Sequence, residues 1–229
     1  MDPLLEIVAN LAHHHREHER FYAEAPLERA LELARASRGL KALAERWSEA
    51  DPATALPSPF AGCPDLNDDR ATETLGILFM EGEGEPAELT ALKRSLRASA
   101  EEARSVGAWL GQAMEAAWAV AARLVDYPQL ADLLAERHRI ITTDRQTAGL
   151  AVISGAVVDR AVDLLDHIDF APAAVRADLA GDRLDARLLF SACELLDHAG
   201  DLAAQSATLT HENDRRWRVF HARVRSLQG

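Results

Sequence analysis

Residues 86–124 read PAELTALKRSLRASAEEARSVGAWLGQAMEAAWAVAARL, and this stretch gives the strongest indication of the fold class. Pro86 suits the first turn of a helix, and Glu88 places a negative charge near the positive end of the helix dipole. From Leu89 onward, apolar and small residues recur at alternating spacings of three and four, which is the period of one helix face. The stretch therefore predicts one long helix with a seam that packs against other helices. The seam residues are Leu89, Leu92, Leu96, Ser99, Ala103, Val106, Leu110, Ala113, Ala117, Val120 and Leu124.

The rest of the chain has the same helical character. Ala, Leu, Glu and Arg dominate it, and β-branched residues cluster only near Ile140 and over 152–158. No long run alternates with the period of two that a half-buried strand requires. We therefore predict an all-α protein, in which residues 1–229 form a single helical domain, a bundle of about six to eight helices.

Prolines and helical periodicity divide this predicted domain into three parts. Residues 1–47 predict an N-terminal helical hairpin, because two amphipathic stretches follow each other there. Residues 48–67 contain four prolines and predict a long irregular connection. Residues 68–229 are predicted to form the main bundle, with later helical segments over 130–168 and 182–227.

Composition limits the classes of protein to which the chain can belong. A chain of 229 residues that is 48% hydrophobic and 27% charged can bury one sizeable core. Its apolar runs are short, and the N-terminus has no basic segment leading into a hydrophobic one, so we predict no membrane association. Cys63 and Cys193 make neither a metal-type spacing nor a disulfide framework. We expect a cytoplasmic protein with reduced thiols.

The net charge of −12 argues against nucleic-acid binding, because a phosphate backbone requires a basic surface. One local exception lies at the C-terminus, where residues 212–229 hold five arginines against Glu212 and Asp214. Such a segment more often pairs with the acidic body of the same protein, or with a protein partner, than with DNA. We therefore predict no nucleic-acid partner.

Three histidines of the predicted N-terminal helix fall on its apolar face. At about 100° per residue, His14, His15 and His18 lie within roughly 60° of the centre of that face. A buried imidazole needs a hydrogen-bond partner, a carboxylate or a metal, because leaving it unpaired costs about 1–3 kcal/mol. The apolar residues of the face are Leu4, Ile7, Val8, Leu11 and Tyr22. The sequence therefore predicts a polar centre inside the bundle.

Further polar groups are predicted to face that centre. His138 shares a face with the apolar residues of its predicted helix, and Arg145 falls on the same face. Glu73 lies in a helix, predicted over 68–81, that is apolar on nearly all sides, so it is the best candidate for an internal carboxylate. Asp69 lies one turn before Glu73. The predicted inward set therefore combines imidazoles, carboxylates and one guanidinium.

Two carboxylate and histidine pairs at positions i and i+4 could also contribute ligands. Asp163 and His167 lie on the flank of their apolar stripe, whereas Glu194 and His198 lie on the polar side of theirs. We therefore expect His198 to be exposed to solvent. The chain contains no Glu-x-x-His, which argues against a regular ferritin-like di-iron site.

Two functional hypotheses remain open at this point. In the first, His14, His18, Glu73 and His138 bind a transition metal (iron, manganese or zinc) or a small molecule, and Glu73 and His138 act as catalytic groups of an oxidative enzyme. In the second, the polar core is structural and the protein is a non-catalytic interaction, assembly or regulatory protein. Its partner would then be another protein or a second copy, packed through the long seam or the C-terminal helix.

Overall fold

The computed structural model describes residues 25–49, 87–124, 131–170, 174, 177–178 and 180–226. Within these ranges the chain forms four long helices and no strand, so the all-α prediction is confirmed there. The helices are α1 (Ala25–Glu49), α2 (Ala87–Leu124), α3 (Ala131–Asp166) and α4 (Leu184–Ser226). None of the described helices combines the length and apolar character that a bilayer crossing requires.

The helix boundaries follow the sequence signals closely. α2 begins directly after Pro86 and continues for 38 residues, as the seam predicts. α3 is one uninterrupted helix, and so is α4, which is 43 residues long. Seam residues of α2 with described side chains are buried at Leu89, Leu92, Leu96 and Ala103. The predicted helices over 2–23 and 68–81 lie outside the described residues, and so does the predicted connection from residue 50 onward. Its first two residues, Ser48 and Glu49, are helical and belong to α1.

Contacts group the described residues into two compact units. The first, which we call the Asp144 unit, contains the described residues of Met1–Glu28, Ala103–Ile153 and Leu202–Gly229. The second, the Ser37 unit, contains those of Arg29–Glu102 and Ser154–Asp201. Each unit buries its own apolar side chains, and all four described helices contribute residues to both.

In the Asp144 unit, α2 and α3 approach closely at Gly107. A Cβ atom added to Gly107 would lie 2.3 Å from Val152 Cγ2 and 3.1 Å from the carbonyl oxygen of Ala148. Only a residue without a side chain permits this approach. On α4, Trp217 and Phe220 are both buried, and their rings meet edge to face with centroids 5.7 Å apart.

In the Ser37 unit, buried leucines from all four helices form the core. They include Leu33, Leu40, Leu43, Leu89, Leu92, Leu96, Leu165, Leu189 and Leu196. At its edge, α2 is joined to the end of α3 by Asp166, whose carboxylate pairs with Lys93 at 2.9 Å and with Arg97. These two cations lower the pKa of Asp166 against the opposing effect of burial.

The first turn of α4 is capped by a carboxylate from the preceding segment. Asp178 accepts hydrogen bonds from the backbone N–H groups of Asp185 at 2.9 Å and Ala186 at 3.4 Å. Arg183, just before the helix, has a φ of 54°, a left-handed conformation that L-residues rarely adopt. Burial and the nearby Asp178 raise the pKa of the Asp185 carboxyl. The cap satisfies N–H groups that the helix itself leaves unpaired.

Candidate functional site

The most unusual buried group in the described residues is the carboxyl of Asp144, near the middle of α3. Residues spaced three or four apart turn one face of α3 inward, and this face includes Arg137, Ile140, Asp144 and Ala148. Asp144 is only 4% exposed. Because an isolated carboxylate is costly to bury, its partners determine what it can do.

Asn213 of α4 is the main described partner of Asp144. Its Nδ2 group donates to Asp144 Oδ1 at 2.5 Å and to the carbonyl oxygen of Ile140 at 3.1 Å. The side chain of Trp217, one turn further along α4, lies close enough to the carboxyl to favour its ionised form. These contacts join α3 to α4 through buried polar groups. Asn213 Oδ1 has no hydrogen-bond partner among the described residues.

Burial governs the protonation of Asp144. It raises the pKa of this carboxyl to about 7, and the hydrogen bond from Asn213 and the nearby Trp217 oppose the rise. Near neutral pH the group therefore exists in both forms. A buried carboxyl of this kind can hold a proton, but general acid or base catalysis also needs a substrate within reach.

Two arginines on the same helices differ in environment. Arg216, next to Trp217 in sequence, donates from Nη1 to Thr143 Oγ1 at 3.0 Å, which adds a second polar link between α3 and α4. Arg137 is 1% exposed, and burial lowers its pKa to about 10. It stays protonated at neutral pH, so it remains a buried cation.

The Ser37 unit contains a smaller polar cluster between α1 and α4. The buried Ser37 hydroxyl donates to Asp197 Oδ1 at 2.5 Å and also lies 3.2 Å from the carbonyl oxygen of Cys193. Burial and the Asp197 charge raise the pKa of the Cys193 thiol to about 12. A thiol in this state is not a nucleophile at neutral pH. The cluster therefore fixes the two helices without supplying a reactive group.

The prediction that His138 and Arg145 face the core is wrong. His138 and Arg145 are exposed on α3, on the side away from the buried face. The buried face passes through Arg137 and Asp144 instead, and each residue along a helix turns by about 100°, so each neighbour lies well away from the buried direction. The argument that His138 lines an inward polar site therefore no longer holds, and its chemical role stays untested.

The remaining residues of the predicted centre lie outside the described residues. These are His14, His15, His18, Asp69 and Glu73. Their convergence on one site stays a prediction. In the part of the chain that the structure describes, no group of three or more His, Cys, Asp or Glu side chains is arranged to hold a metal ion.

The carboxylate and histidine pairs lie at the surface. His198 and Glu194 are exposed, which confirms the prediction for His198. Asp163 and His167 are exposed as well, and His167 Nδ1 lies 2.6 Å from the carbonyl oxygen of Asp163. This local contact caps the end of α3 and leaves no inward ligand pair.

The sequence interpretation missed Asp144 and Asn213. The spacing contains a signal for both, because Asp144 follows Ile140 by four positions and Asn213 precedes Trp217 by four. A polar residue in register with apolar ones predicts a buried polar contact. Which two such residues meet depends on how the helices pack, and spacing within one helix cannot supply that.

Comparison of the chain with protein-family models, with curated proteins and with solved structures finds no match. Function therefore has to be argued from the geometry of the described residues.

Proposed function

We propose that this protein is a non-catalytic helical assembly or regulatory protein that acts through its helix surfaces, and that it forms a homodimer through α3. The observation that carries the proposal is an exposed apolar face in the middle of that helix. We also propose that the protein is a cytoplasmic bundle of about six to eight helices. The helices expected over 2–23 and 68–81 would complete this bundle.

The buried polar groups support a structural role for the core. Asn213 joins α4 to α3 through Asp144 and the carbonyl oxygen of Ile140, and Ser37 joins α1 to α4. Ser154 Oγ donates to the carbonyl oxygen of Ala199 at 2.9 Å, which is a third link of the same kind. Polar links of this type fix how helices pack, since each is satisfied in only one arrangement.

The exposed apolar face lies on the opposite side of α3 from Asp144. We call it the α3 apolar face, and it consists of Gly149, Leu150 and Ile153. Ile153 is 51% exposed, although α3 buries the side on which Asp144 lies. A Cβ atom added to Gly149 would meet nothing within 4 Å. Another helix could therefore approach the backbone closely here.

Charge distribution favours a second copy as the occupant of this face. Residues 147–158 contain no charged side chain, whereas Asp144 and Arg145 precede them and Asp159 and Arg160 follow. In a two-fold interface, residues near the axis meet their own copies, and like charges would repel there. An uncharged apolar segment has no such penalty and gains from burial.

The test is the molar mass of the protein in solution, measured by light scattering during gel filtration over a range of concentrations. We expect the wild-type protein to have the mass of a dimer. Ile153→Glu should give a monomer with unchanged helical content, because two carboxylates would be buried face to face. Ile153→Ser should give a weaker dimer, which provides a milder variant if the first one misfolds.

A matched control separates this face from general surface hydrophobicity. Leu184 at the start of α4 is 60% exposed, so Leu184→Glu makes the same chemical change elsewhere. That variant should remain a dimer. A wild-type protein that stays monomeric at high concentration contradicts the dimer, and an Ile153→Glu variant that remains dimeric excludes the α3 apolar face.

A metal or small-molecule pocket is the second candidate function, and it rests on the three histidines of one predicted helix face. His14 and His18 would be ligands together with Glu73, while His138 is left without support because it is exposed. Iron, manganese or zinc suits such imidazole and carboxylate ligands. Catalysis by Glu73 would then require an open coordination position.

Elemental analysis of untagged protein tests this candidate. If the pocket exists, the protein retains near-stoichiometric metal, and His14→Ala loses it. Arg35→Ala, an exposed change in α1, should retain the metal. Protein that stays metal-free after anaerobic loading with iron or manganese would remove the metal site from consideration.

A further inference from the structure

The last turns of α4 display arginines on a single exposed face. We call it the α4 arginine face, and its members follow one another at helical spacing, so they point in one direction. They are Arg215, Arg218, Val219, Ala222, Arg223 and Ser226, all of which are exposed. The face lies opposite Trp217 and Phe220, which are buried. The same helix therefore anchors itself in the core and presents cations outward.

The charges on this face are only partly neutralised. Arg218 pairs with Asp214 one turn earlier, and that carboxylate is mostly buried beside it. Arg215 and Arg223 make no ion pair with any residue that the structure describes. Within the described part of the chain, two guanidinium groups two turns apart thus lack an opposite charge, on a protein whose net charge is −12.

An apolar side chain lies between these two cations. Val219 is 54% exposed and follows Arg215 by four residues, with Arg223 another four residues beyond. Arg215, Val219 and Arg223 thus form a line along α4 with an apolar residue between two cations. A partner helix with one apolar residue between two carboxylates would be complementary to this line in charge and in apolar contact. Arginine forms paired hydrogen bonds with carboxylates, and interfaces favour it over lysine.

We infer that the α4 arginine face binds an acidic amphipathic helix of another protein. This surface is separate from the α3 apolar face, so the inference goes beyond the proposed function. The overall negative charge of the chain opposes the approach of long polyanions, whereas a short acidic helix brings few charges and adds an apolar contact with Val219. A protein segment therefore fits better than a nucleic acid or an anionic membrane.

Fluorescence anisotropy with a labelled helical peptide tests the inference on the full chain. The probe carries glutamates at helical spacing around one leucine, and a second peptide replaces every glutamate with glutamine. We expect saturable binding of the glutamate peptide that weakens as salt is raised, and little binding of the glutamine peptide. The combined variant Arg215→Glu with Arg223→Glu should weaken binding about tenfold or more, since it turns two attractive contacts into repulsive ones.

A charge-matched control keeps the test specific. Arg35→Glu with Arg187→Glu reverses two exposed arginines elsewhere and changes the net charge equally, so it should bind the peptide within about twofold of wild type. Arg215→Gln with Arg223→Gln repeats the test if the charge reversal perturbs folding. Equal loss in the control pair, equal binding of the glutamine peptide, or tighter binding to duplex DNA or anionic vesicles would overturn the inference.

Discussion

Asp144 shows how one buried carboxyl can link the stability of this protein to pH. Its pKa rises from the ordinary value of 3.8 to about 7 in the folded protein. The folded state therefore holds a proton that the unfolded state has already released between these values. Stability falls as pH rises through this window and levels off above it. The hydrogen bond from Asn213 and the nearby Trp217 reduce the effect but do not remove it.

Replacing Asp144 with asparagine should remove this pH dependence. Asparagine keeps an oxygen that can accept the hydrogen bond from Asn213, but it cannot ionise. We expect Asp144→Asn to be more stable than wild type at pH 8, by up to about 4 kcal/mol for a shift of about three pKa units, and to be similar at pH 4. Urea unfolding at both pH values measures the difference. Asp201→Asn, an exposed change on α4, should follow the wild-type curve, and parallel curves for Asp144→Asn would contradict the assignment.

Within single elements, helix packing places the tightest demand on Gly107. The added methyl group of alanine would overlap Val152, whose β-branched side chain has few alternative rotamers. We expect Gly107→Ala to lower the free energy of unfolding by about 1–3 kcal/mol, despite the better helix propensity of alanine.

Gly200 in α4 is the matched control for this change. A Cβ atom there would lie 3.7 Å from Leu33 Cβ, an ordinary contact. Gly200→Ala should therefore leave stability unchanged or raise it by up to about 1 kcal/mol. Chemical denaturation followed by circular dichroism compares the two variants. Equal effects would mean that the close approach of α2 and α3 does not limit the residue at position 107.

The extent of each long helix was predictable because periodicity and proline positions are local properties. The segment predicted over 182–227 is observed as Leu184–Ser226, and the one over 130–168 as Ala131–Asp166. Which side of α3 faces the core was not predictable in the same way. Thr143, Asp144 and Thr147 are buried, so apolar residues alone do not mark the inward side. The hydroxyls of Thr143 and Thr147 bond to carbonyl oxygens of α3 itself, which lets them be buried. The bond between Asp144 and Asn213 exists only after α3 and α4 have packed together.

For the whole molecule, the two proposed surfaces should respond to salt in opposite ways. The α3 apolar face contains no charge, so its association depends on burying apolar area. The α4 arginine face depends on attraction between charges, which salt screens over about 10 Å at 0.1 M. A negatively charged chain also repels its own copies, and salt relieves that repulsion. Assembly through α3 and recognition through α4 are therefore separable by ionic strength alone.

The buried thiol of Cys193 allows the rate at which the core of the Ser37 unit opens to be measured. Its side chain is buried in the Ser37 unit and is protonated at neutral pH, so a thiol reagent in solution reaches it only when that unit opens. With Cys63 replaced by serine, the rate of labelling of the remaining cysteine reports how often that opening occurs. At high reagent concentration the rate becomes independent of reagent and equals the opening rate itself. The hydrogen bonds of Ser37 to Asp197 and to the Cys193 carbonyl oxygen should slow this opening, so their removal should raise the labelling rate.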